Sequence, residues 1–279
     1  MTLRTRNKFY LTFFIVSLTF LIASTAATVY LAINGQLHLA DGVMNENRSV
    51  NAAVVAILLF PAYTTAVAGF ICLRFEKTSS DEIVFFLIYL IFSFLEAIRL
   101  LYPDQEFALM LFRKLNVIYP SSGIPCTSML LVGLSKTIVF SRSMAYLSVL
   151  CMPIFSVTKK FLSSEGLIGI ITAVSWLTSS LCKVRVNEFQ TNFTHAIANY
   201  GQFVWAILFV FAVTFLMIGN FLNFGMKKRI PEGLGYLGMI VGHLVMSHAD
   251  SYITLSLSMG ILMIGTVVYL KNVHSRLNS

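Results

Sequence analysis

Long apolar runs constrain this chain more than any other feature. The first of them, from Phe9 to Ile33, holds 25 residues without a charged side chain, and comparable runs recur toward the end of the chain. A bilayer core about 30 Å thick needs roughly 20 apolar residues for each helical crossing. Helices also satisfy their own backbone hydrogen bonds, which lipid cannot do. The pattern therefore predicts an all-α polytopic transmembrane helix bundle that forms one domain over residues 1–279.

Composition and charge narrow the classes of partner. The chain is 57% hydrophobic and 11% charged, whereas an ordinary soluble domain carries roughly 25% charged residues. Its net charge of +8 comes from short Lys and Arg clusters that flank apolar runs, where such residues set membrane orientation. We therefore expect the lipid bilayer, and no nucleic acid, as the partner. The four cysteines form no Cys-x-x-Cys pair, and neither a metal site nor a cofactor is expected.

Eight helical crossings are predicted. Seven are read directly as Phe9 to Ile33, Asn51 to Leu73, Ile83 to Leu101, Gly166 to Cys182, Gln202 to Asn223, Leu234 to Met246 with a short extension, and Tyr252 to Leu270. The segment from Ser121 to Val157 holds two apolar blocks, separated at Ser141 to Ser143, and crosses either once or twice. The first run is longer than a signal-peptide core of 7 to 15 residues, so an uncleaved span is favoured over an export signal.

Charge distribution favours the single crossing. With a cytoplasmic amino terminus and one crossing between Ser121 and Val157, twelve Lys and Arg residues lie inside and five outside. That bias follows the positive-inside rule. It predicts eight helices with cytoplasmic amino and carboxyl termini, and seven or nine helices are the alternatives. The bias and the short connections favour a bacterial inner membrane.

Glu96 and Arg99 are ionisable residues near the end of the third predicted span. They are three residues apart, close enough on one helical face to pair directly. Charged groups at membrane depth are candidates for function because they are costly in hydrocarbon. We expect either a self-neutralising pair near the outer interface, with Arg99 reaching toward the headgroups, or a proton-linked or ligand-linked role.

His243, His248 and Asp250 form the closest approach to a metal or acid–base constellation. The two histidines are five positions apart, so on one helix they point in different directions, unlike the four-residue spacing of zinc-binding helices. His248 and Asp250 are expected in the outer turn between the last two helices. The favoured roles are turn formation and packing, with ligand contact or pH response as the alternative.

Two further features lie within the predicted spans. Gly235, Gly238 and Gly242 recur on the penultimate helix, and small residues at that spacing let membrane helices approach closely. Intramolecular packing is favoured over self-association. Lys136 lies in the apolar block from Gly123 to Phe140, so its ammonium group must either reach an interface or face a polar interior.

The closing segment carries one resemblance. Gly242-His243-Leu244, Asp250-Ser251-Tyr252, the stretch from Gly260 to Thr266, and Lys271 to His274 resemble the last two helices of poorly characterised bacterial, spirochaete-like, multi-helix inner-membrane proteins. The resemblance covers roughly forty residues and contains no family-defining motif. It implies a compact inner-membrane bundle.

Three functions are consistent with these patterns. The absence of catalytic motifs favours a non-enzymatic protein that senses or binds a small ligand, or a membrane subunit that joins a membrane-protein partner or a homo-oligomer. A small proton-coupled transporter is the alternative, with Glu96, Arg99, Lys136 and His243 lining a central cavity. A metal-dependent intramembrane hydrolase that uses His243 and His248 is the third.

Overall fold

The computed structural model describes residues 3–34, 50–75, 81–101, 126–158, 164–181, 230–249 and 251–278, and every one of these segments is built from helix. The helices are α1 (Leu3–Ile33), α2 (Val50–Arg74), α3 (Asp81–Phe94), a 3₁₀ helix that continues α3 (Leu95–Leu101), α4 (Cys126–Thr158), α5 (Ser164–Leu181), α6 (Ile230–Ser247) and α7 (Tyr252–Asn278).

Four stretches of helix are long and apolar enough to cross a membrane: Asn7–Ile33, Asn51–Arg74, Glu82–Leu101 and Tyr252–Ser275. A shorter apolar helix covers Glu165–Leu181. The described part of the chain is therefore an all-helical bundle compatible with an integral membrane protein. The predicted span from Gln202 to Asn223 lies outside the described residues, so the total of eight and the side of each terminus stay predictions.

The ambiguous segment between Ser121 and Val157 contains one continuous helix. α4 runs for 33 residues, which corresponds to about 50 Å at the usual helical rise. A segment that crosses twice needs a turn between its two apolar blocks, and α4 passes through Ser141 to Ser143 without one. The double-crossing interpretation is therefore wrong for this segment.

Small residues bring α6 and α7 into backbone contact. A Cβ atom added to Gly242 would lie 2.6 Å from the backbone nitrogen of Leu262, and one added to Gly235 would lie 2.9 Å from the carbonyl oxygen of Gly265. A Cβ atom added to Gly238 would lie 3.0 Å from the Gly265 Cα. All three glycines of the predicted packing motif thus lie against α7 within the same chain.

Residue contacts give the relative directions of the helices. The Tyr63 hydroxyl of α2 is hydrogen-bonded to the Thr266 hydroxyl of α7. Ala56, which precedes Tyr63 on α2, packs in one cluster with Leu255, which precedes Thr266 on α7. The contacts therefore advance along both helices in the same direction, so α2 and α7 run parallel. By the same reasoning α6 is antiparallel to α7, because Gly235 faces Tyr269 while Gly242 faces Leu262.

Aromatic side chains fill the space at the centre of the bundle. Ring centroids are 4.9 Å apart for Tyr236 and Tyr269, 5.2 Å for Tyr269 and Phe86, and 5.9 Å for Phe86 and Tyr89. The line continues from Tyr89 to His243, 5.6 Å away. This interior joins α3, α6 and α7 and leads to the buried polar groups.

Candidate functional site

The carboxylate of Glu96 is the centre of a buried ion cluster. Its side chain is 1% exposed, and Arg142 of α4 binds it through two contacts, Nε to Oε1 at 2.5 Å and Nη2 to Oε2 at 3.0 Å. This two-pronged geometry matches the planar guanidinium to the carboxylate and gives the strongest kind of side-chain ion pair. The pair links α4 to the 3₁₀ helix.

Arg99 completes the ion cluster, which we define as Glu96, Arg99 and Arg142. Arg99 Nη1 lies 3.3 Å from Glu96 Oε2 and donates to the Ser247 carbonyl oxygen at 2.8 Å. Arg142 Nη2 donates to the same carbonyl at 3.3 Å. Ser247 ends α6, and the last carbonyls of a helix have no intrahelical partner and carry its partial negative charge. Two guanidinium groups therefore cap α6.

The 3₁₀ helix explains the alignment of Glu96 with Arg99. In this tighter helix the side chains at positions i and i+3 lie one above the other, so both groups face α6. The predicted pair is present, and the expectation that the structure contradicts is the reach of Arg99 toward the headgroups. Arg99 is 3% exposed and points to the end of α6, so it does not reach toward headgroups.

His243 lies one helical turn before Ser247 and is fully buried. Its Nδ1 atom lies 3.2 Å from the Ser93 hydroxyl. Three rings surround the imidazole, with centroid distances of 4.8 Å to Phe60, 5.3 Å to Tyr146 and 5.6 Å to Tyr89. We call these five residues the histidine cage.

The ion cluster and the histidine cage form two adjacent layers on the same elements. Ser93 and Glu96 are three positions apart, as are residues on neighbouring turns of one helical face. The pairs Tyr146 with Arg142, and His243 with Ser247, are each four positions apart. Contacts advance along α3 and α6 in the same sense and along α4 in the opposite sense. α3 and α6 are therefore parallel to each other and antiparallel to α4.

His248 lies in the turn after α6, as the sequence predicted. Its Nδ1 atom lies 2.9 Å from the Leu244 carbonyl oxygen and 3.0 Å from the Ser247 hydroxyl. Burial, assisted by the positive charge of Arg142, lowers the pKa of His248 to about 4, so the imidazole is neutral near pH 7.

The two histidines have different hydrogen-bond partners. The His243 imidazole contacts Ser93, whereas the His248 imidazole contacts the Leu244 carbonyl and the Ser247 hydroxyl. Within the described segments, no group of three or more His, Cys, Asp or Glu side chains could hold a metal ion. Asp250, the third member of the predicted constellation, lies outside the described residues. The described residues therefore give the hydrolase hypothesis no support.

Lys136 is separate from the ion cluster. Its ammonium group donates to the Ser180 carbonyl oxygen near the end of α5 at 3.1 Å, and the Ser179 hydroxyl donates to the Lys136 carbonyl at 2.7 Å. A cation near a helix carboxyl terminus is electrostatically favourable. Lys136 thus joins α4 to α5, and the transporter arrangement with all four charged or titratable residues in one place is not present.

Arg142 and Ser93 are among the site residues that the sequence did not single out. Arg142 interrupts an apolar run at Ser141 to Ser143, which is the only local signal that it carries. Ser93 is the eleventh residue of the strongly apolar stretch that begins at Ile83. It lies four residues after Tyr89, and its hydroxyl donates to the Tyr89 carbonyl at 2.8 Å. Comparison with protein-family models finds no match, and searches of curated proteins and solved structures find none either.

Proposed function

We propose that the protein is an eight-span membrane bundle, located in a bacterial inner membrane, that binds a small ligand near the ion cluster and acts as a sensor or binding protein. The observation that carries the proposal is the ion cluster at the end of α6, in which Glu96 and Arg99 are buried and the Arg142 side chain is 13% exposed. In the predicted orientation this end of the bundle is directed toward the outer face of the membrane.

Helix directions support the eight-span topology. α3 and α6 are parallel, as are α2 and α7, and α4 is antiparallel to α3. Eight alternating spans require these directions, because α3 and α6 would be the third and seventh crossings. An extra crossing between α3 and α6 would reverse α6. In the proposed topology, the return crossing between α5 and α6 is the predicted span from Gln202 to Asn223, which lies outside the described residues.

The energetics of the ion cluster favour a functional role. Removing charges from water costs several kcal/mol for each ion, and a buried ion pair often stabilises a protein no more than well-packed apolar side chains would. The surrounding helices already have extensive apolar contacts. Ionisable groups retained at membrane depth therefore mark a site that recognises something polar.

The position of the ion cluster suits a ligand-responsive element. It connects three elements, namely the 3₁₀ helix, α4 and the end of α6. A stretch of 3₁₀ helix within a longer helix often marks a hinge, and the seven residues from Leu95 to Leu101 are long for this geometry. A ligand that binds differently to two arrangements of this hinge would shift their populations.

The first experiment measures ligand-induced stabilisation. Wild-type protein in lipid nanodiscs is heated in the presence of defined panels of small carboxylates, phosphates, amines and alcohols. We expect at least one class to raise the melting temperature, because a ligand that binds only the folded state stabilises it. Glu96→Gln and Arg142→Met should abolish this shift, whereas Lys136→Met should keep it. Equal shifts in all four proteins, or none in the wild type, would contradict the proposal.

A proton-coupled carrier is the second candidate, and the depth of His243 is the observation that favours it. The histidine cage extends the polar groups one turn farther from the end of α6. The test uses proteoliposomes that contain a pH-sensitive dye and an imposed pH gradient. If the protein is a carrier, liposomes with the wild type should dissipate the pH gradient faster than liposomes with His243→Gln when the solute is present. If it is a binding protein, both rates should equal the rate of empty liposomes.

A further inference from the structure

The 3₁₀ helix has a sequence that favours an ordinary α-helix. From Leu95 to Leu101 it reads Leu-Glu-Ala-Ile-Arg-Leu-Leu. Leu, Glu, Ala and Arg are among the strongest α-helix formers, and the segment contains neither Gly nor Pro. Runs of 3₁₀ helix longer than three or four residues are uncommon because their hydrogen-bond geometry is poorer. Contacts with the rest of the bundle therefore set the conformation of this segment, against its own preference.

One such contact lies where α3 ends and the 3₁₀ helix begins. An amide bonds to the carbonyl four residues back in an α-helix but three residues back in a 3₁₀ helix, so the change leaves one carbonyl without a backbone donor. Phe92 lies at this junction, and its carbonyl accepts a hydrogen bond from the buried Ser141 hydroxyl of α4. If α3 continued as an α-helix, the Glu96 amide would be that donor. The Ser141 hydroxyl therefore supplies the bond that the 3₁₀ form lacks.

The contacts of Arg99 also require the 3₁₀ geometry. In an α-helix, Arg99 would be rotated by about 100° around the axis relative to Phe94 and would lie about 2.5 Å closer to it. Its 2.8 Å bond to the Ser247 carbonyl and its 3.3 Å contact with Glu96 would then be lost. Glu96 is only two residues after Phe94 and would turn by about 40°, which the long Arg142 side chain can follow. The α form thus retains the strongest ion pair.

We propose that Leu95–Leu101 is a two-state switch between a 3₁₀ helix and an α-helix, held in the 3₁₀ state by the Ser141 hydroxyl and by the bond from Arg99 to Ser247. Conversion to the α-helix shortens the segment by about 3.5 Å. It also removes one of the two guanidinium groups that cap α6. This inference rests on the proposed function, since it names the conformational change that regulates the ion cluster.

Pulsed electron paramagnetic resonance measures the length of the segment. Spin labels are placed at Val84 and Leu101, which are both partly exposed, in protein without ligand in nanodiscs. The four native cysteines are replaced by alanine. The two backbone positions are about 29 Å apart in the 3₁₀ form and about 25.5 Å apart in the α form. A pair at the exposed positions Ile253 and Val267 of α7 is the control, and its distance of about 21 Å should not change.

Matched variants test the Ser141 hydroxyl. Ser141→Ala leaves the Phe92 carbonyl without its donor only in the 3₁₀ form, so we expect a new population in which Val84 and Leu101 are about 3.5 Å closer. Ser141→Thr keeps a hydroxyl and should keep the wild-type distance. Ser148→Ala is the control on the same helix, because the Ser148 hydroxyl bonds to the Met144 carbonyl within α4.

Arg99→Met tests the second contact independently of α4. It removes the bond to the Ser247 carbonyl and should produce the same shorter distance, so the inference stays testable if Ser141→Ala does not fold. Three results would overturn the inference: the shorter distance already in the wild type, the wild-type distance in every folded variant at Ser141 and Arg99, or equal shortening in Ser148→Ala.

The switch and the proposed function can fail separately, because the distance measurement contains no ligand. An unchanged distance while Glu96→Gln and Arg142→Met still abolish ligand-induced stabilisation would refute only the switch. Conversely, the shorter distance in Ser141→Ala, beside a wild type that no ligand class stabilises, would support the switch and refute the proposed function.

Discussion

Replacing Arg142 tests the energetic importance of the ion cluster. Arg142→Met removes both contacts to the Glu96 carboxylate, at 2.5 and 3.0 Å, and leaves that 1% exposed group with the weaker 3.3 Å contact to Arg99. Breaking a buried ion pair by removing one partner costs about 3–5 kcal/mol. Because Met is also long and unbranched, most of the packing volume is retained.

Matched variants separate charge from geometry. Arg142→Lys keeps the positive charge but loses the planar fork, so it should recover only part of the lost stability. Arg99→Met removes the longer 3.3 Å contact and one bond to the Ser247 carbonyl, and we expect a smaller loss of about 1.5–3 kcal/mol. Lys136→Met is the control outside the ion cluster.

The assay is reversible unfolding in mixed micelles, in which the denaturing detergent is increased stepwise and helical content is followed by circular dichroism. The double variant Glu96→Gln with Arg142→Met completes a thermodynamic cycle. Residues in direct contact give coupling energies of about 0.5–3 kcal/mol. A coupling near zero, or a cost for Arg142→Met no larger than that for Lys136→Met, would refute the assignment of Arg142 as the main partner of Glu96.

Three further predictions concern other contacts. Gly242→Ala places a Cβ atom 2.6 Å from the Leu262 backbone nitrogen and should lower the free energy of unfolding by about 1–3 kcal/mol. A Cβ atom added at Gly260 has nothing within 4 Å, so Gly260→Ala should raise the free energy of unfolding by about 0.5–1 kcal/mol. Thermal unfolding compares the two variants, and equal effects would contradict the close contact between α6 and α7. Tyr63→Phe removes the 2.8 Å bond to the Thr266 hydroxyl and should cost about 0.5–1.5 kcal/mol, a loss that should be smaller when Thr266 is already Val. For His248, burial lowers the pKa in the folded state to about 4, below its ordinary value of 6.5. The neutral form therefore stabilises the fold above pH 6.5, and this contribution is lost as the pH falls toward 4. Melting of His248→Gln as a function of pH should show a smaller decrease in stability over that interval than the wild type.

Helix positions were predictable because hydropathy is a local property. The second predicted span, Asn51 to Leu73, differs from α2 by one residue at each end. Larger differences arise where a helix extends beyond its apolar part. α6 begins at Ile230, four residues before the predicted span, because Pro231 and Glu232 suit the first turn of a helix without being apolar. α7 likewise continues past Leu270 to Asn278.

The site was only partly predictable, because its contacts are remote in sequence. Glu96 and Arg99 could be identified from the sequence because they are charged residues inside an apolar run. Arg142 is 46 residues from Glu96 and 105 from Ser247, and a single sequence holds no signal for pairings at that distance. The Ser247 carbonyl is a backbone group, so no residue type could indicate that two guanidinium groups meet there.

The layered arrangement of charge and histidine has a mechanical consequence. α4 contributes Arg142 to the ion cluster and Tyr146 to the histidine cage, and α6 contributes Ser247 and His243 in the same way. Each pair lies on one face of one helix, where residues four apart are neighbours. A rigid shift of α4 along α6 that lengthens the Arg142 contacts must therefore also move Tyr146 relative to His243. Since packed interiors switch between discrete arrangements more readily than they deform continuously, the two layers should respond to a ligand together.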